Sequence, residues 1–290
     1  MSDNSTSCFL MGGLGNQLFQ IFATLAYCIR YRKKMILPYS TILSTGISRP
    51  TYWDTLLSNL KRYTTFNANN NYTNEDLYQF PMLKEQSHNY KEIPFVPTNF
   101  LLNGYFQSFK YFRDVETEIF SIMNLQKQTT NVRNEFAYLF SENTTAISMH
   151  FRLGDYKQKQ EYHPIMPYRY YELSLLHIIM NTDLLKPITV IYFCEEEDNE
   201  IVGDIINKLK NELTAITFVK ANDQIEDWKQ LLIMSSCHHN IIANSSFSWW
   251  GAYFNQNKDK VVCYPKMWFG PAANNDVSDM FPSDWNKIEW

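Results

Sequence analysis

The chain has 290 residues, a formal net charge of −4, and 45% hydrophobic against 19% charged residues. That balance excludes a disordered chain and supplies enough apolar material for one large core or two of ordinary size. It also speaks against a nucleic-acid partner, because the densest basic run, Arg30-Tyr31-Arg32-Lys33-Lys34, reads as a basic helix end rather than a binding stripe.

The five cysteines, Cys8, Cys28, Cys194, Cys237 and Cys263, are scattered and form no CxxC pair. They predict buried, reduced thiols and a reducing compartment, the cytoplasm. No apolar stretch reaches the length of a membrane span, so no transmembrane segment is expected. The opening residues lack the basic n-region of a signal peptide.

In chain order, residues 7–11 read as a strand, Gly12-Gly13-Leu14-Gly15-Asn16 as a tight turn, and residues 17–31 as a helix with Leu18, Ile21, Phe22, Leu25 and Ile29 at helical spacing. A short strand follows at 35–38. Such a βαβ opening predicts a parallel sheet. Residues 40–98 hold an Asn-rich stretch and few periodic runs, so loops, short helices and an irregular insertion are expected. Beyond them, a strand is expected at 99–104 and helices at 111–123 and 132–140. The second half alternates regularly. Strands are predicted at 145–149, 188–193, 215–219, 240–243 and 260–264, with helices at 168–182, 199–213, 227–237 and 246–254. This rhythm is that of an α/β chain with doubly wound sheets. Two halves dividing near residue 140 would leave a cleft between them.

Open α/β sheets bind ligands at the C-terminal ends of their strands. The 145–149 strand delivers His150-Phe151-Arg152-Leu153-Gly154-Asp155-Tyr156 to that edge. Arg152 offers a planar fork of donors suited to phosphate, and Gly154 lets backbone approach a ligand. A surface ion pair between Arg152 and Asp155 is the competing reading, and local spacing leaves the two about even. Glu161, His163 and Tyr168 follow within a dozen residues, which adds groups able to do acid–base work.

The Gly12–Gln17 turn opens a helix, whose free N–H groups suit a diphosphate. It is not a dinucleotide fingerprint: Leu18 stands where a third glycine is needed, and Pro38 and Tyr39 stand where an acidic ribose ligand is expected, so a nicotinamide enzyme is disfavoured. A mere glycine bend with Asn16 and Gln17 as caps is the alternative. Asn244-Ser245-Ser246-Phe247-Ser248 ends a strand and starts a helix at the same sheet edge. Trp249 and Trp250 behind it favour the core. The acidic run Glu195-Glu196-Glu197-Asp198 follows the 188–193 strand, either as a ligand for a purine, a sugar hydroxyl or a metal, or as a solvated helix cap. No His/Cys cluster has zinc spacing, and His238-His239 do not suit one ion.

Taken together, Gly12-Gly13-Leu14-Gly15-Asn16-Gln17-Leu18-Phe19-Gln20, His150-x-Arg152-x-Gly154-Asp155-Tyr156 and Asn244-Ser245-Ser246-Phe247-Ser248-Trp249-Trp250-Gly251-Ala252-Tyr253 resemble, in this order, the α-1,2-fucosyltransferases of glycosyltransferase family 11. Gly104-Tyr105-Phe106-Gln107-Ser108 and Tyr264-Pro265-Lys266-x-Trp268-Phe269 resemble further family segments. The resemblance implies a GT-B-type fold, with two Rossmann-like lobes facing each other across a cleft. Residues 1–140 would form the acceptor-side lobe with the glycine loop, and 141–290 the nucleotide-sugar lobe. It implies a GDP-fucose donor, inversion at the sugar carbon, a galactoside-type glycan acceptor, no required metal and no other cofactor.

By the same resemblance Arg152 would hold the donor diphosphate and His150 would lie beside the donor. The Asn244–Ser248 turn would contact the nucleotide-sugar, and Gly13, Gly15, Asn16 and Gln17 would face it. His163 falls where relatives carry a His. Glu195 or Glu196 would read guanine. Asp155 and Glu161 compete for the general base. Two departures stand out: Leu153 replaces an Arg common in relatives, and Cys194-Glu195-Glu196 replaces Ser-Asp-Asp. The chain is more similar to microbial or viral members, which for a virus would mean the host cytoplasm. A transferase for another nucleotide-sugar and a non-catalytic glycan-binding protein are the rival readings.

Overall fold

The computed structural model describes residues 4–182, 186–273 and 275–290. The chain divides into two compact units. One runs to Gln128 and takes back Asp276–Pro282; the other comprises Thr129–Asn275 and Ser283–Trp290. The division thus lies ahead of residue 140, inside the Leu125–Glu135 helix.

The first unit is built on a parallel sheet. Its central strand β1 (Ser5–Cys8) pairs with β2 (Lys34–Met35) and β4 (Phe100–Asn103), and β3 (Met82–Lys84) pairs with the far side of β4. Helix α1 (Leu14–Tyr31) connects β1 to β2 and buries Leu18, Phe19, Ile21, Phe22 and Ala26 completely. The Leu, Ile and Phe side chains among them each stabilise the fold by ~1.5–3 kcal/mol on full burial. The first strand starts and ends earlier than expected because Ser5, Thr6 and Ser7 are buried in mid-sheet, where small hydroxyl residues give no hydrophobic signal. The basic run is a helix end, as read: Arg32 ends α1 in the left-handed region (φ 51°), Arg30 pairs with Asp114, and Lys33 Nζ donates to Val96 O and Thr98 O at 2.7 and 2.8 Å. The irregular 40–98 region contains a hairpin (Ile42–Leu43 with Arg49–Pro50), a 3₁₀ turn at Ser58–Tyr63, a capped helix at Asn74–Tyr78, and strand β3, which the sequence gives no sign of.

The second unit is a six-stranded, wholly parallel sheet. In space its order is β10 (Asn286–Ile288), β9 (Val262–Pro265), β8 (His239–Ile241), β5 (Thr145–His150), β6 (Ile188–Phe193), β7 (Ile216–Lys220). Helices α2 (Tyr168–Asn181), α3 (Asn199–Glu212), α4 (Asp227–Ser235) and α5 (Ser246–Tyr253) alternate with the strands. Each unit is therefore Rossmann-like. Strand order reverses around β5, which makes its C-terminal end the switch point where such sheets bind ligands. Strand β10 adds an edge beyond the expected set. Among the described residues no helix is long and apolar enough to cross a membrane.

Trp249 and Trp250 are fully buried and pack on Tyr253 and Phe254, so both belong to the core. All five cysteines are buried and free, and burial pushes the thiols of Cys8, Cys28 and Cys237 up to about 12.

Candidate functional site

Three loops leave adjacent parallel strands β8, β5 and β6 and meet at one sheet edge. The middle loop carries the predicted run. His150 closes β5, and Arg152 follows before the 3₁₀ turn Gly154–Gln158. Gly154 adopts φ +39°, the left-handed region that favours glycine. Leu153 turns inward and joins the hydrophobic core, at 3% exposure. The departure at this position is thus a packing residue in this chain.

Arg152 holds two carboxylates from two elements. Nη2 donates to Asp155 Oδ1 and Nη1 to Glu195 Oε1, and the guanidinium lies 4.9 Å from the Tyr156 ring centre. Burial alone would lower the Arg152 pKa, but the attraction of Glu195, Tyr156 and Asp155 outweighs it and holds the pKa above its ordinary value. The ion-pair reading and the phosphate reading of this Arg are therefore not exclusive: the fork is held in place by acids.

Asp198, at the end of the acidic run, is fully buried. Its Oδ2 accepts the Gly154 N–H at 2.9 Å, and Lys157 Nζ lies 2.5 Å from Oδ1, in ion contact but out of hydrogen-bond alignment. It pins the Arg152 loop to the β6 loop. The sequence marks it only as the last acid of four. Glu195, Glu197 and Asp198 bring carboxylate oxygens within 4.8 Å of one another, the one such acidic set among the described residues. Asp198 is already neutralised by Lys157, and Glu195 by Arg152.

The third loop braces the site. Asn244 Nδ2 donates to Pro164 O (2.9 Å) and Trp268 O (3.1 Å), and its backbone carbonyl accepts from Tyr156 Oη at 3.3 Å. Ser245 caps α5 by accepting the Phe247 N–H, and Ser248 Oγ donates to Ala243 O and Ser245 O. These side chains build the turn, while Ser246 and Phe247 stay partly exposed. The Phe247 ring sits 5.6 Å from His150. His163 stacks on Tyr156, centroids 4.6 Å apart at 19°, and Phe269 flanks it at 5.7 Å. Glu161 is exposed, and its backbone carbonyl accepts from Ala272 N–H. Tyr156, Asp198 and Phe269 are thus site residues that spacing did not single out.

His150 is buried, and burial followed by the Arg152 charge drives its pKa down to about 3. It is a neutral imidazole at any working pH. Its Nδ1 is buried and has no hydrogen-bond partner in the protein. His238 and His239 each accept a backbone N–H on Nδ1, from Ala146 and Val261, so both are structural. Burial lowers the pKa of His239 to about 4, and lowers those of His88, His163 and His238. A histidine depressed in the fold and near 6.5 when unfolded stabilises fully above pH 6.5. That stability is lost as pH falls, because only the unfolded chain takes up the proton, by up to about 1.4 kcal/mol per pH unit for each such group. Denaturation midpoints should therefore drop clearly between pH 7 and 5; a flat profile would contradict the neutral buried histidines.

In the first unit, Gly12 (φ +79°) makes the turn after β1, and Gly13 caps α1 with no side chain. Gln17 Nε2 donates to Gly12 O and Pro50 O, which ties the Arg49–Pro50 strand to the loop. Asn16 Oδ1 accepts from Gln107 Nε2 at 2.8 Å. Gly15 lies in the first turn of α1. The loop is a braced helix start within its own unit.

The sequence pattern of Glycosyl transferase family 11 matches residues 7–289. Two Escherichia coli proteins are similar in sequence. The O-antigen biosynthesis glycosyltransferase WbnK is 27% identical over 206 residues, covering 67% of this chain and 62% of the relative. An alpha-1,2-colitosyltransferase is 28% identical over 192 residues, covering 64% and 61%. The chain thus spans about three fifths of the length of these curated relatives. Among solved structures, a variant of Arabidopsis thaliana FUT1 in complex with GDP superposes with a TM-score of 0.50 at 10% identity, covering 97% of this chain and 75% of that one. POFUT1 in complex with GDP-fucose gives a TM-score of 0.50 at 11% identity, covering 91% and 99%. At these identities the structures support the GT-B fold and no more. The sequence match over nearly the whole length decides the family: the chain belongs to glycosyl transferase family 11.

Proposed function

We propose that the chain transfers L-fucose from GDP-β-L-fucose, with inversion, to the 2-hydroxyl of a galactoside-type acceptor, forming an α-1,2 linkage. The observation that carries the reading is Arg152, braced by carboxylates at the switch point of a parallel sheet beside a buried, neutral His150. An inverting transfer is one in-line displacement, in which negative charge builds on the leaving diphosphate. Arg152 stabilises that charge, and the positive end of the α5 dipole adds to it. His150 Nδ1 supplies a neutral hydrogen-bonding atom beside the donor. Residues 129–275 form the donor unit, and the unit with the glycine loop carries the acceptor.

The acceptor proton goes to a carboxylate, Asp155 or Glu161. Asp155 is engaged with Arg152 and lies 3.7 Å from Lys159, whereas Glu161 is exposed. A second reading keeps the transfer and changes the donor sugar. It is favoured by the relative whose name specifies colitosyl transfer.

Hydrolysis and transfer assays with a panel of GDP-sugars, with and without galactosides, test both readings. Consumption of GDP-fucose that rises with a galactoside supports the first. Turnover of a different GDP-sugar alone supports the second, and failure to bind GDP at all removes both. Single-turnover rates of D155N and E161Q locate the base, and full rate in both variants excludes these two.

A further inference from the structure

The Arg152 fork has a carboxylate partner on each of its two terminal nitrogens. Glu195 and Asp155 engage Nη1 and Nη2, and Lys159, 3.7 Å from Asp155, brings the net charge of these four groups to zero. A guanidinium whose charge is already balanced attracts a diphosphate less than a bare one, and displacing one carboxylate frees a terminal nitrogen for phosphate oxygens. The two acids are not equivalent. Asp155 sits three residues from Arg152 on the same loop, in the 3₁₀ turn that follows it, and also faces Lys159. Glu195 comes from the loop after another strand, its side chain is 51% exposed, and among the described residues its carboxylate has one hydrogen-bonded ion pair, to Arg152, with Lys157 acting on it only at longer range. Its backbone stays fixed because its carbonyl accepts the Asp198 N–H at 2.9 Å. The side chain can therefore rotate into water while the loop holds still.

We propose that Glu195 is a placeholder for the donor diphosphate. It holds the Arg152 fork in its working orientation when the site is empty, gives way when the nucleotide arrives, and competes for Arg152 again when the spent nucleoside diphosphate leaves. The inference rests on Arg152 being the diphosphate ligand. It assigns Glu195 to product release in place of guanine reading. The mechanism is an exchange of anions on one cation. A half-exposed carboxylate pair is weak enough to be displaced, and its attachment to the protein makes it an effective local competitor.

Calorimetry with GDP and with guanosine tests this on the full chain, using E195Q and R152A beside the unsubstituted protein, with thermal melts to confirm folding. E195Q keeps the side-chain shape and removes the competing charge. GDP affinity should rise ~3–10-fold in E195Q, with stronger product inhibition by GDP, while guanosine binding stays unchanged. Unchanged GDP affinity in E195Q overturns the proposal. Weaker binding of both GDP and guanosine overturns it as well, and returns Glu195 to the base. R152A separates this from the reading beneath it. If R152A binds GDP as tightly as the unsubstituted protein, the diphosphate assignment itself fails. If R152A loses GDP and E195Q gains nothing, only the placeholder fails.

Discussion

Replacing Arg152 with alanine should reduce sugar transfer ~10²–10³-fold, the usual effect of deleting a preorganised donor to a developing anion. The fold should survive. The Arg152 side chain is 18% exposed, and the acids it leaves, Asp155 and Glu195, are 37% and 51% exposed, so water takes over their hydrogen bonds. Loss of such partly exposed pairs costs about 1 kcal/mol or less. Lysine should not rescue the activity. An ammonium offers a point charge, whereas this site uses a fork that holds two partners and lies over the Tyr156 ring. The measurement is kcat with GDP-fucose beside a melting curve. Near-normal turnover in a folded R152A would remove Arg152 from the mechanism. A protein that fails to fold would point to a structural role for the ion-pair triad.

The parts of this molecule that follow a repeating pattern could be read from the sequence. Apolar strands such as Ile188–Phe193 and amphipathic helices such as Tyr168–Asn181 announce themselves through burial on one or both faces. The convergence of three loops then follows from parallel strands, which all deliver their ends to one edge. What could not be read depends on partners distant in sequence. Asp198 and Glu195 are three residues apart in one acidic run, yet one is buried against Gly154 and the other half-exposed on Arg152. Charge alone does not distinguish them. Leu153 shows the same limit: a departure in a motif looks functional until its side chain is found in the core. The Asn244–Ser248 turn reads as a set of ligand contacts, but the Ser245 and Ser248 hydroxyls bond backbone groups of their own turn, and the Asn244 amide bonds the carbonyls of Pro164 and Trp268. Strand β3 was invisible because Met82–Lys84 pairs with β4 while its side chains stay largely exposed, so no apolar alternation marks it.

The substitution expected to damage the fold most is G270A. A β-carbon on Gly270 would fall on the Glu161 carbonyl, 2.5 Å from its carbon and 2.9 Å from Gln160 O. The obstruction is backbone, which cannot rotate aside as a long side chain can. The contact is also bonded on both sides: Gly270 N–H donates to Tyr162 O at 2.9 Å, and Ala272 N–H to Glu161 O at 3.0 Å. Relief therefore requires the 160–162 segment to shift and these bonds to lengthen, a loss of about 3 kcal/mol by analogy with overpacked cores. The shift would carry into the site. His163 follows that segment and stacks on Tyr156, and Pro164 O receives the Asn244 amide. G270A should thus lower the denaturation midpoint and weaken GDP binding together, whereas R152A affects binding and turnover alone. Gly203 supplies the control. It lies inside α3 with nothing within 4 Å of a β-carbon, so G203A should stabilise the protein by about 0.5–1 kcal/mol. If G270A proves as stable as G203A, the 160–162 backbone does not approach Gly270 this closely, and His163 and Asn244 owe their positions to other contacts.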